Sequence, residues 1–327
     1  MLFLNVGIDV SPLGRTRAGT ARYLEGLLGE FERDGEPRVR RLSFPGGASA
    51  LGDLVWYPAL LPVRARGLDV LHCPGIRAPF RSSAPLVVTV HDVAVLRHPR
   101  AFPAWSRRYS RFALPRIVRA ARRLIADSEF TKRELVELLG VDAAVVRVIP
   151  LAAGTAFQPD GSAAAGRYAL AVGTLEPRKN LARLAQAAGR AGVELRISGE
   201  RGWGGVEPDG GGLHWLGRVP DEQLARLYRG ALCLAYPSLY EGFGLPVLEA
   251  MACGTPVVTS ATGATAELAG AAAVLVDPLD PDAIARGIEE AIERRDELSE
   301  RGLKRAASFS WRATADATLA VYREAAA

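Results

Sequence analysis

At 327 residues the chain is long enough for two domains of about 150 residues, each with its own core. No run reaches about 18 uncharged apolar residues, and the N-terminal MLFLNVGIDV is charged too soon for a signal peptide, which argues against a spanning or secreted protein and predicts a cytoplasmic one. Cys73, Cys233 and Cys253 lie far apart in apolar surroundings and read as buried thiols, not a disulfide framework or zinc knuckle; the net charge of +5 is uneven, residues 1–160 holding 23 Lys and Arg against 15 Asp and Glu and the rest 18 against 21.

Apolar runs of strand length alternate with helical patterns, the order of parallel sheets covered by helices on both faces. In the first half, strands are predicted near Phe3–Asp9, Val39–Ser43, Val70–His72, Leu86–His91, Arg123–Ala126 and Val145–Ile149, with helices including Gly19–Glu32 and Ser128–Leu139. GRTRAGT, Gly14 to Thr20, has the glycine spacing of a phosphate loop but lacks its lysine, so it is not a nucleoside triphosphatase signature. The strand LVVTVH ends on His91, which as a lone histidine suits a satisfied structural role and a functional one equally. Residues 93–126 hold nine Arg and no acid, interleaved with Phe102, Trp105, Tyr109 and Phe112. They read either as a surface for an anionic membrane, each cation adding about 1 kcal/mol, or as the solvated face of an arginine-rich chain. Nucleic acid is not an expected partner, because no reading motif accompanies the charge.

Leu151–Arg167 has the Gly, Ala and Pro content of a linker and divides a first domain, 1–155, from a second, 156–310. Strands resume near Tyr168–Val172, Glu194–Ser198, Leu213–Leu216, Ala231–Tyr236, Pro256–Thr259 and Ala273–Val276. In GTLEPRKN, Gly173 to Asn180, the cations Arg178 and Lys179 fall on a helix start, where positive charge is disfavoured by about 0.3–1 kcal/mol. They read as counter-charges for a nucleotide diphosphate. ALCLAYPS then turns through Glu241–Leu245 into a helix over Pro246–Ala252, with Glu249 in its first turn. That helix start attracts phosphate oxygens, and Gly242 and Gly244 let a ligand approach the backbone. Glu241 and Glu249 then suit sugar hydroxyls; the plainer alternatives are a solvated loop charge and a carboxylate serving the helix dipole. Asp221 reads as a helix N-cap, and Asp280-Pro281-Asp282 as the cap of AIARGIEEAIERR, not a D-x-D metal site. Trp311–Ala326 is helical in pattern. Without clustered His ligands or a complete G-x-G-x-x-G, neither a metal nor a nicotinamide cofactor is expected. The result is an α/β protein of two doubly wound, Rossmann-like domains facing a cleft, with His91, Gly173 and Glu241 on loops at the carboxyl ends of strands, where such sheets bind ligands.

Glu241 to Glu249, with seven residues between, resembles the E-x7-E signature of retaining glycosyltransferases of family 4, which have the GT-B fold. AVGTLEPRKNLARLAQA (Ala171 to Ala187), GRVPDEQLARLYRGA (Gly217 to Ala231) and EGFGLPVLEAMACGTPVV (Glu241 to Val258) are similar to that family in order and spacing. AGTARYLEGLL (Ala18 to Leu28), TVHDVAVLRHP (Thr89 to Pro99) and ADSEFTKREL (Ala126 to Leu135) resemble its first half. The resemblance implies an acceptor-side first domain, a second domain that binds a nucleotide sugar, and a last helix, about 311–327, that crosses back to the first. It implies that Lys179 contacts the diphosphate; where many members carry an Arg this chain has Thr174, and Arg178 is the candidate replacement. Gly173, Thr174, Phe243, Gly244 and Leu245 would complete the donor site, Arg218 and Val219 would meet the nucleobase through the backbone, and Glu249 would bind the ribose. His91 and Glu241 would attend the transferred sugar, Asp92 would orient its loop or face the acceptor, and Gly19 would border acceptor or diphosphate.

Retention implies a front-side displacement through an oxocarbenium-like state, driven by positioning and by stabilising the departing diphosphate, with no protein nucleophile and no metal. The HD and GTLEPRKN variants resemble mannosyltransferase-like members, so mannose is the expected sugar. The base stays open among uracil, guanine and adenine, and the acceptor among glycan, lipid-linked and small-molecule classes. Two other functions stay open as well: a sugar-nucleotide epimerase of the same fold, which needs acid/base carboxylates but no acceptor, and a noncatalytic binder, which needs neither His91 nor Glu241.

Overall fold

The computed structural model describes residues 4–14, 19–44, 55–203 and 213–327; Phe3 of the first predicted strand and residues 15–18 of GRTRAGT lie outside them. Helices of seven residues or more are numbered. The chain divides into two units, one of Met1–Pro99, Pro103–Leu151 and Ser310–Ala327, the other of Arg100–Phe102 and Ala152–Phe309.

In the first unit, β1 (Asn5–Asp9), β2 (Arg38–Leu42), β3 (Val70–Cys73), β4 (Leu86–Val90), β5 (Arg123–Ala126) and β6 (Val146–Val148) form one parallel sheet in the order β2-β1-β3-β4-β5-β6. Every residue of β3 and β4 is buried, and apart from His72 and Thr89 these strands are apolar, as strands covered on both faces are. The edge strand β2 instead exposes Arg38, Arg40 or Arg41 along most of its length, which discourages pairing with a further strand. Three helices follow in this unit: α1 (Gly19–Asp34), α2 (Ala104–Ala120) and α3 (Glu129–Leu139). Ser128 caps α3 by accepting from the Thr131 amide at 3.0 Å, and Gly140, at φ 63°, ends it in the left-handed conformation that glycine tolerates.

In the second unit, β7 (Tyr168–Val172), β8 (Glu194–Ser198), β9 (Leu213–Trp215), β10 (Cys233–Tyr236), β11 (Val257–Ser260) and β12 (Val274–Val276) form a parallel sheet in the order β12-β11-β10-β7-β8-β9. Its helices are α4 (Leu181–Arg190), α5 (Asp221–Gly230), α6 (Leu245–Ala252), α7 (Gly263–Ala269), α8 (Pro281–Glu293) and α9 (Arg295–Ala306). Asp280 caps α8 as expected, accepting from the Asp282 amide at 2.8 Å. Asp221 is instead the first helical residue of α5, whose cap position is held by Pro220. The chain leaves β7 for one side of the sheet and returns through β10 on the other, so the strand order reverses between them. Such a switch point opens a crevice outside the strands' carboxyl ends.

The last helix, α10 (Trp311–Ala326), belongs to the first unit. Ser310 caps it, and Trp311 lies against Gly26 of α1 so closely that a Cβ there would sit 2.3 Å from the indole. Further along, Thr314 donates to the Pro150 carbonyl at 2.7 Å, and Glu324 accepts from Arg123 at 3.0 Å and Arg147 at 2.8 Å. Among the described residues no helix is long and apolar enough to cross a membrane.

Candidate active site

Two loops meet at the β7/β10 switch point. The first continues β7 through Gly173, which at φ 144° takes a conformation open to glycine, and its amide keeps pairing with the Ser198 carbonyl at 2.9 Å. Gly199 passes directly against it: a Cβ on Gly199 would lie 1.9 Å from the Gly173 carbonyl oxygen. Thr174 is half-buried, and the loop then makes a tight turn, Pro177–Lys179, that ends on Asn180 at φ 60°. The buried Asn180 amide donates to the carbonyls of Pro237 at 3.0 Å and Pro278 at 2.6 Å, tying this loop to those after β10 and β12.

Four charged side chains converge there. Lys179 Nζ donates to Glu241 Oε1 at 2.7 Å and to the Tyr236 hydroxyl at 2.6 Å, and that hydroxyl donates to Glu241 Oε1 at 2.9 Å. Arg178 donates to Glu241 Oε2 at 2.8 Å, to the Tyr240 carbonyl at 2.8 Å and to Glu176 at 2.6 Å. All four side chains are at most 12% exposed, so little solvent screens them. Burial opposes the charge on Glu241, but Arg178 and then Lys179 outweigh it and hold its carboxyl down at about 2. Burial is also the largest influence on Lys179 and draws its pKa below the ordinary value despite Glu241. An ammonium has three N–H donors, and Lys179 spends two on Tyr236 and Glu241.

The loop after β10 ends at Gly244, φ 104°, which caps α6; Phe243 and Leu245 are buried, Phe243 with its ring centroid 6.1 Å from that of Phe309. Glu249 is the fifth residue of α6 and so sits beyond its first turn, because the helix begins one residue earlier than expected. It is fully buried and accepts from the Tyr228 hydroxyl at 3.1 Å. Arg218 and Val219 lie on the loop after β9; Arg218 is exposed and pairs with Glu200 at 3.2 Å.

The remaining predicted residues belong to the first unit. His91 follows β4 directly, and its Nδ1 lies 2.7 Å from Asp127 Oδ2. Burial works against a charge on the imidazole, but Asp127, through charge and hydrogen bond, and then Asp92 raise its pKa above the ordinary value. Asp92 accepts from the Ala94 amide at 3.0 Å and so fixes the turn after His91. Gly19 is exposed at the start of α1, and its neighbour Thr20 lines a cavity of about 280 Å³ with Asp9, Tyr57, Pro74, Ile76 and Arg77. Among the described residues no three His, Cys, Asp or Glu side chains cluster so as to hold a metal ion.

Residues 155–308 match the family model for glycosyl transferases group 1, and residues 6–155 match that for glycosyltransferase family 4. O-antigen chain mannosyltransferase B of Escherichia coli is 34% identical over 285 residues, 78% of this chain and 74% of that protein. A D-inositol 3-phosphate glycosyltransferase of Geodermatophilus obscurus is 33% identical over 282 residues, 75% of this chain and 62% of that protein. Among solved structures, sucrose-phosphate synthase of Thermosynechococcus elongatus superposes with a TM-score of 0.79 at 20% identity, covering 98% of each chain. The two parallel six-stranded sheets are those of the GT-B fold.

Proposed function

The chain belongs to glycosyltransferase family 4, and we propose that it transfers a hexose, mannose first, from a nucleoside diphosphate sugar with retention of anomeric configuration. The observation that carries this reading is the convergence of Lys179, Arg178, Glu241 and Tyr236 on one switch point, with a third Lys179 donor that no described residue takes up. In the proposal Lys179 and Arg178 take the diphosphate and stabilise it as it departs, helped by the start of α6. Glu241 holds both cations in register and reaches the sugar, Glu249 takes the ribose, and the backbone at Arg218 and Val219 takes the base. His91 is the further residue proposed to attend the sugar. The counter-charges are side chains, so the transfer is proposed to need no metal.

The first unit is the proposed acceptor side, with the cavity near Asp9 and Thr20 as the entry for a glycan, lipid-linked or small acceptor. A cytoplasmic location with contact to an anionic membrane face is part of the proposal, and α2 supports it. Its buried face carries Ala113, Leu114, Ile117 and Val118, while its exposed face carries Trp105, Arg108, Arg111, Phe112, Arg116 and Arg119. Sedimentation with anionic vesicles at low and high salt tests this, and absence of binding at low salt would remove it.

The transfer itself is tested by release of nucleoside diphosphate across a panel of nucleotide sugars. Release that requires an added acceptor supports the proposal; an epimerised sugar nucleotide formed without acceptor would replace it.

A further inference from the structure

His91 is held on two sides by buried polar groups of the first unit. Asp127, 2% exposed on the loop after β5, meets Nδ1 at 2.7 Å, and the Thr131 hydroxyl of α3 donates to the His91 carbonyl at 3.4 Å. The Tyr23 ring of α1 stands edge-on to the imidazole, centroids 5.1 Å apart at 78°. The Tyr23 hydroxyl is itself fixed 3.1 Å from the hydroxyl of Thr89, which lies 2.9 Å from His72 Nε2, and the Tyr322 hydroxyl of α10 lies 2.7 Å from His72 Nδ1. Burial, followed by the charge of His91, pushes His72 down to about 3, so no second cation stands behind Tyr23. Among the described residues, the charges that act on the imidazole to raise its pKa are the carboxylates of Asp127 and Asp92.

One edge of the ring is left. Among the described residues His91 Nε2, a buried atom, has no hydrogen-bond partner, in a ring whose side chain as a whole is 20% exposed. A buried ring nitrogen without a partner is costly, and such a group calls for an explanation. A carboxylate accepts and does not donate, so the 2.7 Å contact requires the proton on Nδ1. With that proton fixed, Nε2 is an acceptor in the neutral ring and an N–H donor in the imidazolium, the form that Asp127 and Asp92 favour.

We propose that Asp127 is a positioning residue for sugar transfer: it locks the His91 proton on Nδ1, sets its negative charge against the ring, and so aims Nε2–H of the imidazolium as a charge-assisted donor to an oxygen of the bound sugar nucleotide. This rests on the reading of His91 as part of the transfer site. Asp127 touches no reacting atom; its carboxylate acts only through the imidazole.

The four histidines, His72, His91, His98 and His214, allow selective ¹⁵N and ¹³C labelling, with His91→Gln to assign the signal. In the wild-type protein without sugar nucleotide, the His91 ring carries its proton on Nδ1 across neutral pH and titrates above the ordinary 6.5. In Asp127→Asn that midpoint falls by a unit or more, kcat at pH 7.5 falls at least tenfold with donor KM changed less than threefold, and the alkaline limb of the rate profile moves to lower pH. Asp127→Glu recovers part of the rate. A wild-type ring protonated on Nε2 alone with an ordinary midpoint overturns the proposal and needs no variant to fold. So does a folded Asp127→Asn protein whose rate and pH profile match wild type. A chain that transfers no sugar would sink the proposed function, while the tautomer and midpoint would still decide what Asp127 does to His91.

Discussion

Lys179 Nζ and Glu241 Oε1 lie 2.7 Å apart, joining the loop after β7 to the loop after β10 across the point where the strand order reverses. Sequence logic assigned the lysine to the diphosphate and the glutamate to the sugar, and the structure makes them partners. Removing one member of a buried pair strands the other, which costs about 3–5 kcal/mol. Glu241→Gln should lose stability of about that size in urea unfolding, with the loss carried by the second unit.

The same pair sets an acid limit. The folded pKa of Glu241, about 2, lies below its ordinary 4.5, so its contribution is present above about pH 4.5 and is lost as pH falls toward 2. The stability gap between wild type and Glu241→Gln should therefore shrink between pH 5 and pH 2, as measured by denaturant midpoints at several pH values.

Lys179→Ala should remove a charge-assisted hydrogen bond to the diphosphate of about 1.5–3 kcal/mol, a loss of roughly ten- to hundredfold in donor affinity by calorimetry. Unchanged affinity would take Lys179 out of the donor site.

Gly199→Ala places a Cβ 1.9 Å from the Gly173 carbonyl oxygen, so one of the two loops must move. Overpacking of this kind costs about 1–3 kcal/mol, and here it displaces the loop that carries Arg178 and Lys179. A lower melting temperature together with weaker nucleotide binding is expected.

Most of the strands were legible because they are short, largely apolar runs closed by a turn, and all twelve fall within about two residues of where the pattern puts them. The bounds predicted for α10 match, and so does the capping role of Asp280. The misplacements are local: one residue at the start of α6 carries Glu249 out of the first turn, and Pro220 rather than Asp221 holds the cap position of α5. The partners of the site were not legible. Tyr236, Glu176, Asn180 and Asp127 lie inside stretches whose pattern is plain, but nothing in those stretches singles them out, because their partners are distant: Asn180 reaches residues 57 and 98 positions away, and His91 finds Asp127 36 positions on. A non-glycine residue at φ 60° was one signal of strain at the site, and only the backbone displays it.

A crystal structure of the chain with a nucleoside diphosphate sugar bound tests the central claim most directly. The account predicts the pyrophosphate outside β7 and β10, within about 3 Å of Lys179 Nζ and of the Arg178 guanidinium. A pyrophosphate bound elsewhere, with Lys179 and Arg178 still bonded as they are to Glu241, Tyr236, Tyr240 and Glu176, would contradict it.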